Sequence, residues 1–322
     1  MTGNAADNHP HHRRTTPGRV GRGDTALGGE NVGHGHVESA EAILDKEYPV
    51  LDKGFVRLVD YMGGDQRIVQ AARVSYGEGT KSYRQDAALI DYLLRNEHTS
   101  PFEQVVLTFH TKMPVFVARQ WVRHRTARMN EISGRYSVMK DEFYVPDGRD
   151  IAAQSDDNKQ GRCEEPVDQA TQKDVQKRLT AGQERAYSEY EELLGLGIAR
   201  EIARINLPLS LYTEWYWQID LHNLFRFLRL RMDPHAQKEI RAYATTMFAI
   251  TREVCPLACQ SFEDHVLGSV TFSSAEWEAL QEVLTEGAGD DPQRFEAAAR
   301  RVGISGRAVD RFISKIKSGT QQ

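Results

Sequence analysis

Gln104-Val105-Val106-Leu107-Thr108-Phe109-His110 and, three residues on, Pro114-Val115-Phe116-Val117-Ala118-Arg119-Gln120-Trp121-Val122 set two periodicities side by side. The first run alternates and is rich in β-branched and aromatic residues, which predicts a strand. Pro114 suits the first turn of a helix, where its missing N–H removes no bond. Val115, Phe116, Ala118, Trp121 and Val122 then supply the apolar faces of that helix. A strand that runs directly into a helix places the chain among folds combining a sheet with helices.

The helix leads into Arg123-His124-Arg125, and after seven residues come Ser133-Gly134-Arg135-Tyr136. With Arg128 and Glu131, fourteen positions hold four arginines, a histidine and one carboxylate. Arginine suits bidentate phosphate contacts because its planar guanidinium stays charged. Ser and Gly let backbone N–H groups come close to an anion. Trp121, Val122, Ile132 and Tyr136 are expected to draw the segment inward, and Glu131 can partner one arginine but not four. A phosphorylated ligand completes that balance. The competing reading is a charged helix end in water.

Further out, Phe55–Tyr61 predicts a strand ending at Gly63-Gly64, a helix follows through Ile68, Val69, Ala72 and Val74, and another spans 86–95. Residues 150–165 read as a polar loop and 168–194 as a long charged helix. A short helix at 199–205 stops at Pro208, and 209–219 reads as a Tyr/Trp-rich strand. Asp220 is placed to cap the next helix, which carries Leu221, Leu224, Phe225, Phe227, Leu228 and Leu230. Arg226 and Arg229 share a face of it, and Arg231 closes it before Pro234. A last long helix is expected over 235–262. The expected fold is α/β (α+β): a mixed sheet flanked by long helices, with a small C-terminal helical appendage. The expected domains are a disordered tail (1–45, rich in Gly and His), a catalytic domain (46–268) and a helical extension (269–322) with segments near 274–285, 291–302 and 306–317.

A net charge of -5 argues against general nucleic-acid binding and makes the arginine cluster a local feature, suited to a small anion. Three cysteines are too few for a disulfide scaffold and point to a reducing cytoplasm. No apolar run reaches the roughly 20 residues of a membrane span. Cys255 and Cys259, four apart on an expected helix, read as core residues, since no second Cys/His pair stands at zinc spacing. Ser133 lacks the G-x-S-x-G surroundings of a nucleophile elbow, so it reads better as a phosphate ligand.

The spacing Arg123-His124-Arg125, seven residues, Ser133 resembles the signature of the flavin-dependent thymidylate synthases. Ala118-Arg119-Gln120-Trp121, Asn130 to Tyr136, His98 to Phe109, Ala203 to Pro208, Leu230-Arg231 and His235-Ala236-Gln237 also resemble that family. The likeness covers roughly residues 50 to 265, and neither extension. It implies synthesis of dTMP from dUMP, with methylenetetrahydrofolate as carbon donor, NADPH as reductant and FAD as the relay, in a homotetramer with active sites between subunits. It implies FAD contacts from Ser100, Arg123, His124, Arg125, Glu131, Asp220, Leu221, His222 and Arg226. The dUMP site would draw on Gln120, Trp121, Val122, Arg123, Glu131, Ile132, Ser133, Gly134, Arg135, Arg204 and Arg231. Arg231, facing the uracil, would be the catalytic cation. No metal, nucleic acid or membrane is expected as a partner. A cysteine-dependent synthase using Cys255 and a non-catalytic nucleotide- or RNA-binding module are the competing functions.

Overall fold

The computed structural model describes residues 35–74, 83–156, 159–285 and 292–319. The expectations for residues 1–34 and for the Gly287-Ala288-Gly289-Asp290-Asp291 turn lie outside the described residues. The first described segment departs from the expected tail. Helix α1 (Glu38–Glu41) buries Ala40 completely, and Tyr61 donates its hydroxyl proton to Glu41 at 2.6 Å. Its shortness and polarity hide it from any test of periodicity.

Strand β1 (Tyr48–Val50) leads to β2 (Gly54–Met62), where side chains alternate between buried and half-exposed. Helices α2 (Asp65–Arg73) and α3 (Tyr83–Arg95) follow, then strand β3 (Val106–Pro114) and helix α4 (Val115–Trp121). Strand β4 (Arg128–Glu131) comes next; its four exposed residues carry no apolar alternation, so sequence gave no sign of it. The expected polar loop at 150–165 instead pairs β5 (Ala152–Gln154) with β6 (Arg162–Pro166). Both are short and largely exposed, and backbone pairing alone defines them.

Asp168 caps helix α5 (Gln169–Gly195) by accepting from the N–H groups of Ala170 and Thr171. Helix α6 (Arg200–Ala203) precedes strand β7 (Tyr212–Asp220) and helix α7 (Leu221–Arg231). The expected long helix over 235–262 is two helices, α8 (Lys238–Val254) and α9 (Pro256–Phe262). Pro256 disfavours a helical residue before it, and Cys255 sits at φ -136°, ψ 68°. Asp65 then accepts from the N–H groups of Leu257 and Ala258, at 2.8 and 3.0 Å, at the start of α9.

The sheet runs β1-β2-β3-β7-β4, and each pairing is antiparallel, so the expected mixed sheet is corrected to an antiparallel one in an α+β arrangement. Alternation with a single buried face is the pattern of antiparallel sheets. That face presents Trp215 and Trp217 to Trp121 of α4 and Phe227 of α7, with ring centroids 4.9–5.5 Å apart across these contacts. Helices α10 (Ser274–Thr285), α11 (Pro292–Arg301) and α12 (Arg307–Gly319) form a second core of their own around Ala279, Ala298, Ala299 and Phe312. Cys255 and Cys259 are buried, Cys163 is half-buried and all three thiols are free. Among the described residues no helix is long and apolar enough to cross a membrane.

Candidate active site

The basic segment lies along the free edge of the sheet. Strand β4 is the last strand, and its Glu131 stands opposite Trp215. Directly opposed residues point to one face, so Glu131 shares the helix-covered side with Trp215 and Trp121. Thr213, two residues along that face, donates its hydroxyl proton to Glu131 at 2.6 Å. The carboxylate expected to partner an arginine is therefore held by a threonine.

Where α4 ends, the chain turns through Arg123 and His124, and the C-terminus of α7 lies against that turn. Arg231 Nε donates to His124 Nε2 at 3.0 Å, and an Arg231 terminal nitrogen donates to the Gln120 carbonyl at 3.2 Å. His124 packs edge-on against Phe227 at 4.9 Å. Burial first, then the charges of Arg231 and Arg226, push the His124 pKa down to about 4. The ring is neutral at pH 7 and its Nε2 is an acceptor, so the proton sits on Nδ1. Burial and the Arg123 charge lower the Arg231 pKa. Gln120 also bonds the Gln237 side chain, which fixes the start of α8 beside this turn.

Beyond the other end of β4, Ser133 Oγ accepts from the Arg135 N–H at 3.3 Å, and the Ser133 carbonyl accepts from Tyr136 and Ser137. Gly134 leaves room here for two flexible side chains. A Cβ would stand 2.9 Å from Met139 Sδ and 3.0 Å from Arg204 Cδ, which places Arg204 over this turn. Arg135 pairs with Glu201 of α6 at 3.3 Å. The two basic groups are separated by β4, whose four residues span roughly 10–13 Å.

Helix α7 forms a third region. Asp220 caps it, accepting from the Asn223 N–H at 2.9 Å and from the Asn223 amide at 2.8 Å. Leu221 N–H donates to the Val105 carbonyl at 2.8 Å, bringing the helix start beside the turn that carries exposed Ser100. Half-buried His222 and exposed Arg226 then lead along the helix towards Arg231. Eleven residues make a track about 16 Å long.

Two expected ligand residues prove to be core. Trp121 and Leu221 are each 0% exposed, so they position their neighbours and offer no side-chain surface. Ile132 and Tyr136, expected to turn inward, are exposed. Thr213 and Glu201 hold site residues in place without a local sequence signal, since each meets its partner only through the tertiary fold. Among the described residues, Arg123, Arg125, Arg128, Arg204, Arg226 and Arg231 have no carboxylate oxygen within 4.0 Å. Most of them are exposed, and together they concentrate positive charge along this edge. A cleft of about 430 Å³ is lined by Phe116, Tyr144, Arg162, Glu239 and Gln237 among others, and Gln237 bonds Gln120 beside this region.

Residues 57–257 match the family model described as thymidylate synthase complementing protein, and residues 270–322 match that of the thymidylate synthase ThyX C-terminal domain. The chain is 64% identical over 278 residues to a flavin-dependent thymidylate synthase of Treponema denticola, covering 86% of this chain and 100% of that one. It is 53% identical over 268 residues to one from Thermus thermophilus, covering 83% of this chain and 95% of the other. The fold resembles that of a UMP/dUMP methylase, PolB from Streptomyces cacaoi, solved bound with 5-Br dUMP. That match has a TM-score of 0.62 and 33% identity, over 68% of this chain and 98% of the other. The C-terminal match extends the likeness past residue 265, where the sequence motifs ended.

Proposed function

This chain belongs to the flavin-dependent thymidylate synthases, and on that premise we infer which of its residues carry the reaction. The enzyme methylates dUMP to dTMP with FAD as cofactor, methylenetetrahydrofolate as carbon donor and NADPH as reductant. The observation that carries the site assignment is the set of arginines without carboxylate partners along the β4 edge.

These residues fit both ligands. Ser133, Gly134 and Arg135, with Arg204 laid over the turn, form a cradle for the dUMP phosphate. Arg135 exchanges part of its contact with Glu201 for the phosphate. Arg231 faces the uracil and stabilises negative charge as the ring is activated, a fixed cation where charge develops. Neutral His124 orients Arg231 without adding a second repelling charge, and the Gln120 carbonyl completes the hold. Arg123, Arg125, Arg226 and His222, with Ser100 and the Asp220 cap, line an elongated track suited to a dinucleotide. When bound there, the flavin supplies hydride chemistry that no side chain provides. Val122 and Ile132 flank the pyrimidine, and Glu131, held by Thr213, accepts from ligand N–H or O–H groups.

The cysteine-dependent reading fails on burial. Cys255 is fully buried, and burial holds its thiol well above the ordinary range, so it is not placed or ionised to act as a nucleophile. In a single chain Arg123, Arg125 and Arg226 stand on open surface. Hydride chemistry needs water excluded, so we assign the active sites to subunit interfaces of a homotetramer. Three free thiols favour a reducing, cytoplasmic setting.

Product assay tests the assignment. The protein with dUMP, methylenetetrahydrofolate and NADPH should form dTMP, and Arg231→Ala should lower kcat at least about 100-fold while keeping its flavin absorbance. Full turnover in that variant would overturn the role given to Arg231.

A further inference from the structure

The C-terminal helices carry a feature that the proposed active site does not include. Helix α11 ends on Gly303 at φ 87°, in the left-handed region that favours glycine. Ile304 N–H donates to the Ala299 carbonyl at 2.9 Å and Gly303 N–H to the Arg300 carbonyl at 3.2 Å, the paired bonds of a glycine-terminated helix. Helix α12 starts four residues later, at Arg307. Ala298 and Ala299 are buried without residue, and Ile304, Val309 and Phe312 pack with them. Two small residues let the helices meet closely across a tight glycine turn, with α10 covering the third side. Two helices are thus joined by a short turn, residues 302–306, that carries two glycines, with α12 as the second helix of the pair.

The outer face of α12 is the second observation. Arg307, Asp310, Arg311, Ser314 and Lys317 are exposed at helical spacing, opposite buried Val309 and Phe312. Charge is partitioned within the unit. Helix α10 carries Glu276, Glu278 and Glu282 and no basic residue, whereas α12 carries Arg307, Arg311, Lys315 and Lys317 against Asp310 alone. Glu276 is taken up by Lys315 at 2.7 Å and Glu282 by Arg301 at 2.6 Å. Glu276 and Glu282 are thus paired inside the unit, Glu278 stays exposed on α10, and the outer face of α12 presents Arg307 and Arg311 beside the single acid Asp310.

We propose that the C-terminal unit binds duplex DNA, with the Arg307–Arg311 face of α12 entering the major groove. That groove admits one α-helix, and arginine contacts both phosphates and guanine edges there. The overall charge of -5 suggested no nucleic-acid partner, but ionic screening over about 10 Å makes a helix face act through its own charges.

The test uses the full chain with bound flavin and excess dUMP, so that the arginines of the active site are occupied. The probe is a fluorescein-labelled 30-base-pair duplex of mixed sequence, read by anisotropy. Binding is expected in the micromolar range at 50 mM KCl and should weaken at least about tenfold by 200 mM. The double variant Arg307→Glu/Arg311→Glu should weaken it at least tenfold, with helical circular dichroism and dTMP formation unchanged. Arg311→Gln alone should weaken it several-fold, which keeps the test open if the double variant misfolds. Absence of duplex binding at 50 mM, or binding equal in all variants, would overturn the proposal and leave the face to a protein partner. Preference for a single-stranded RNA of equal length would overturn it too.

Discussion

His124 and Arg231 hold each other in fixed charge states, and pH exposes that coupling. The folded His124 pKa of about 4 lies below its ordinary value of 6.5. The unfolded chain therefore binds this proton more readily, so stability is full above pH 6.5 and is lost as pH falls towards 4. For a half-buried ring the loss is on the order of 1–2 kcal/mol. Denaturant midpoints at pH 7 and pH 5 should fall in the parent protein and fall less in His124→Gln. Equal losses would show that the histidine titrates normally in the fold. Gly134 offers a second test. Gly134→Ala sets a methyl against Met139 and Arg204, both flexible side chains that can move aside. The fold should tolerate it, with Tm within a few degrees, while KM for dUMP rises several-fold because Arg204 leaves the cradle. An unchanged KM would remove Arg204 from the phosphate site.

The segment before β1 behaves as part of the fold, although its composition resembles a tail. Val37 N–H donates to the Tyr61 hydroxyl at 2.9 Å, and Ser39 donates to the Glu253 carbonyl at 2.6 Å. Deleting residues 1–45 should lower Tm by several degrees relative to deleting 1–34, since Ala40 and the Tyr61–Glu41 bond go with it. Equal Tm values in the two deletions would show that α1 contributes nothing. Elements with their own apolar period or cap were readable in sequence: β2, β3, β7 with its Trp pair, and α7 after Asp220. Elements made by pairing were not. Strand β4 exists because Arg128–Glu131 finds the edge of β7, and β5 with β6 likewise. The break before α9 was readable in principle, since Pro256 stood in the middle of the expected helix. The site divides in the same way. Charge and spacing singled out Arg123, His124, Ser133 and Arg135, and apolar periodicity placed Trp121 and Leu221 on buried helix faces although the family likeness named them as ligand contacts; nothing local marked Thr213 as the partner of Glu131.

At the scale of the molecule, the two larger of three apolar cores divide the work. The larger one, around Trp121, Trp215, Trp217 and Phe227, stiffens the sheet edge that carries the arginines. The smaller one holds α10 to α12. The family matches follow the same division, one over 57–257 and one over 270–322. If the arginine edge holds both ligands, as proposed, flavin and dUMP sit in one site. The most direct test is the visible spectrum of the purified protein under anaerobic conditions, before and after NADPH, with and without dUMP. The prediction is a flavin band that NADPH bleaches, faster when dUMP is present. A protein that takes up no FAD, or a bleaching rate indifferent to dUMP, would contradict a shared site at the β4 edge.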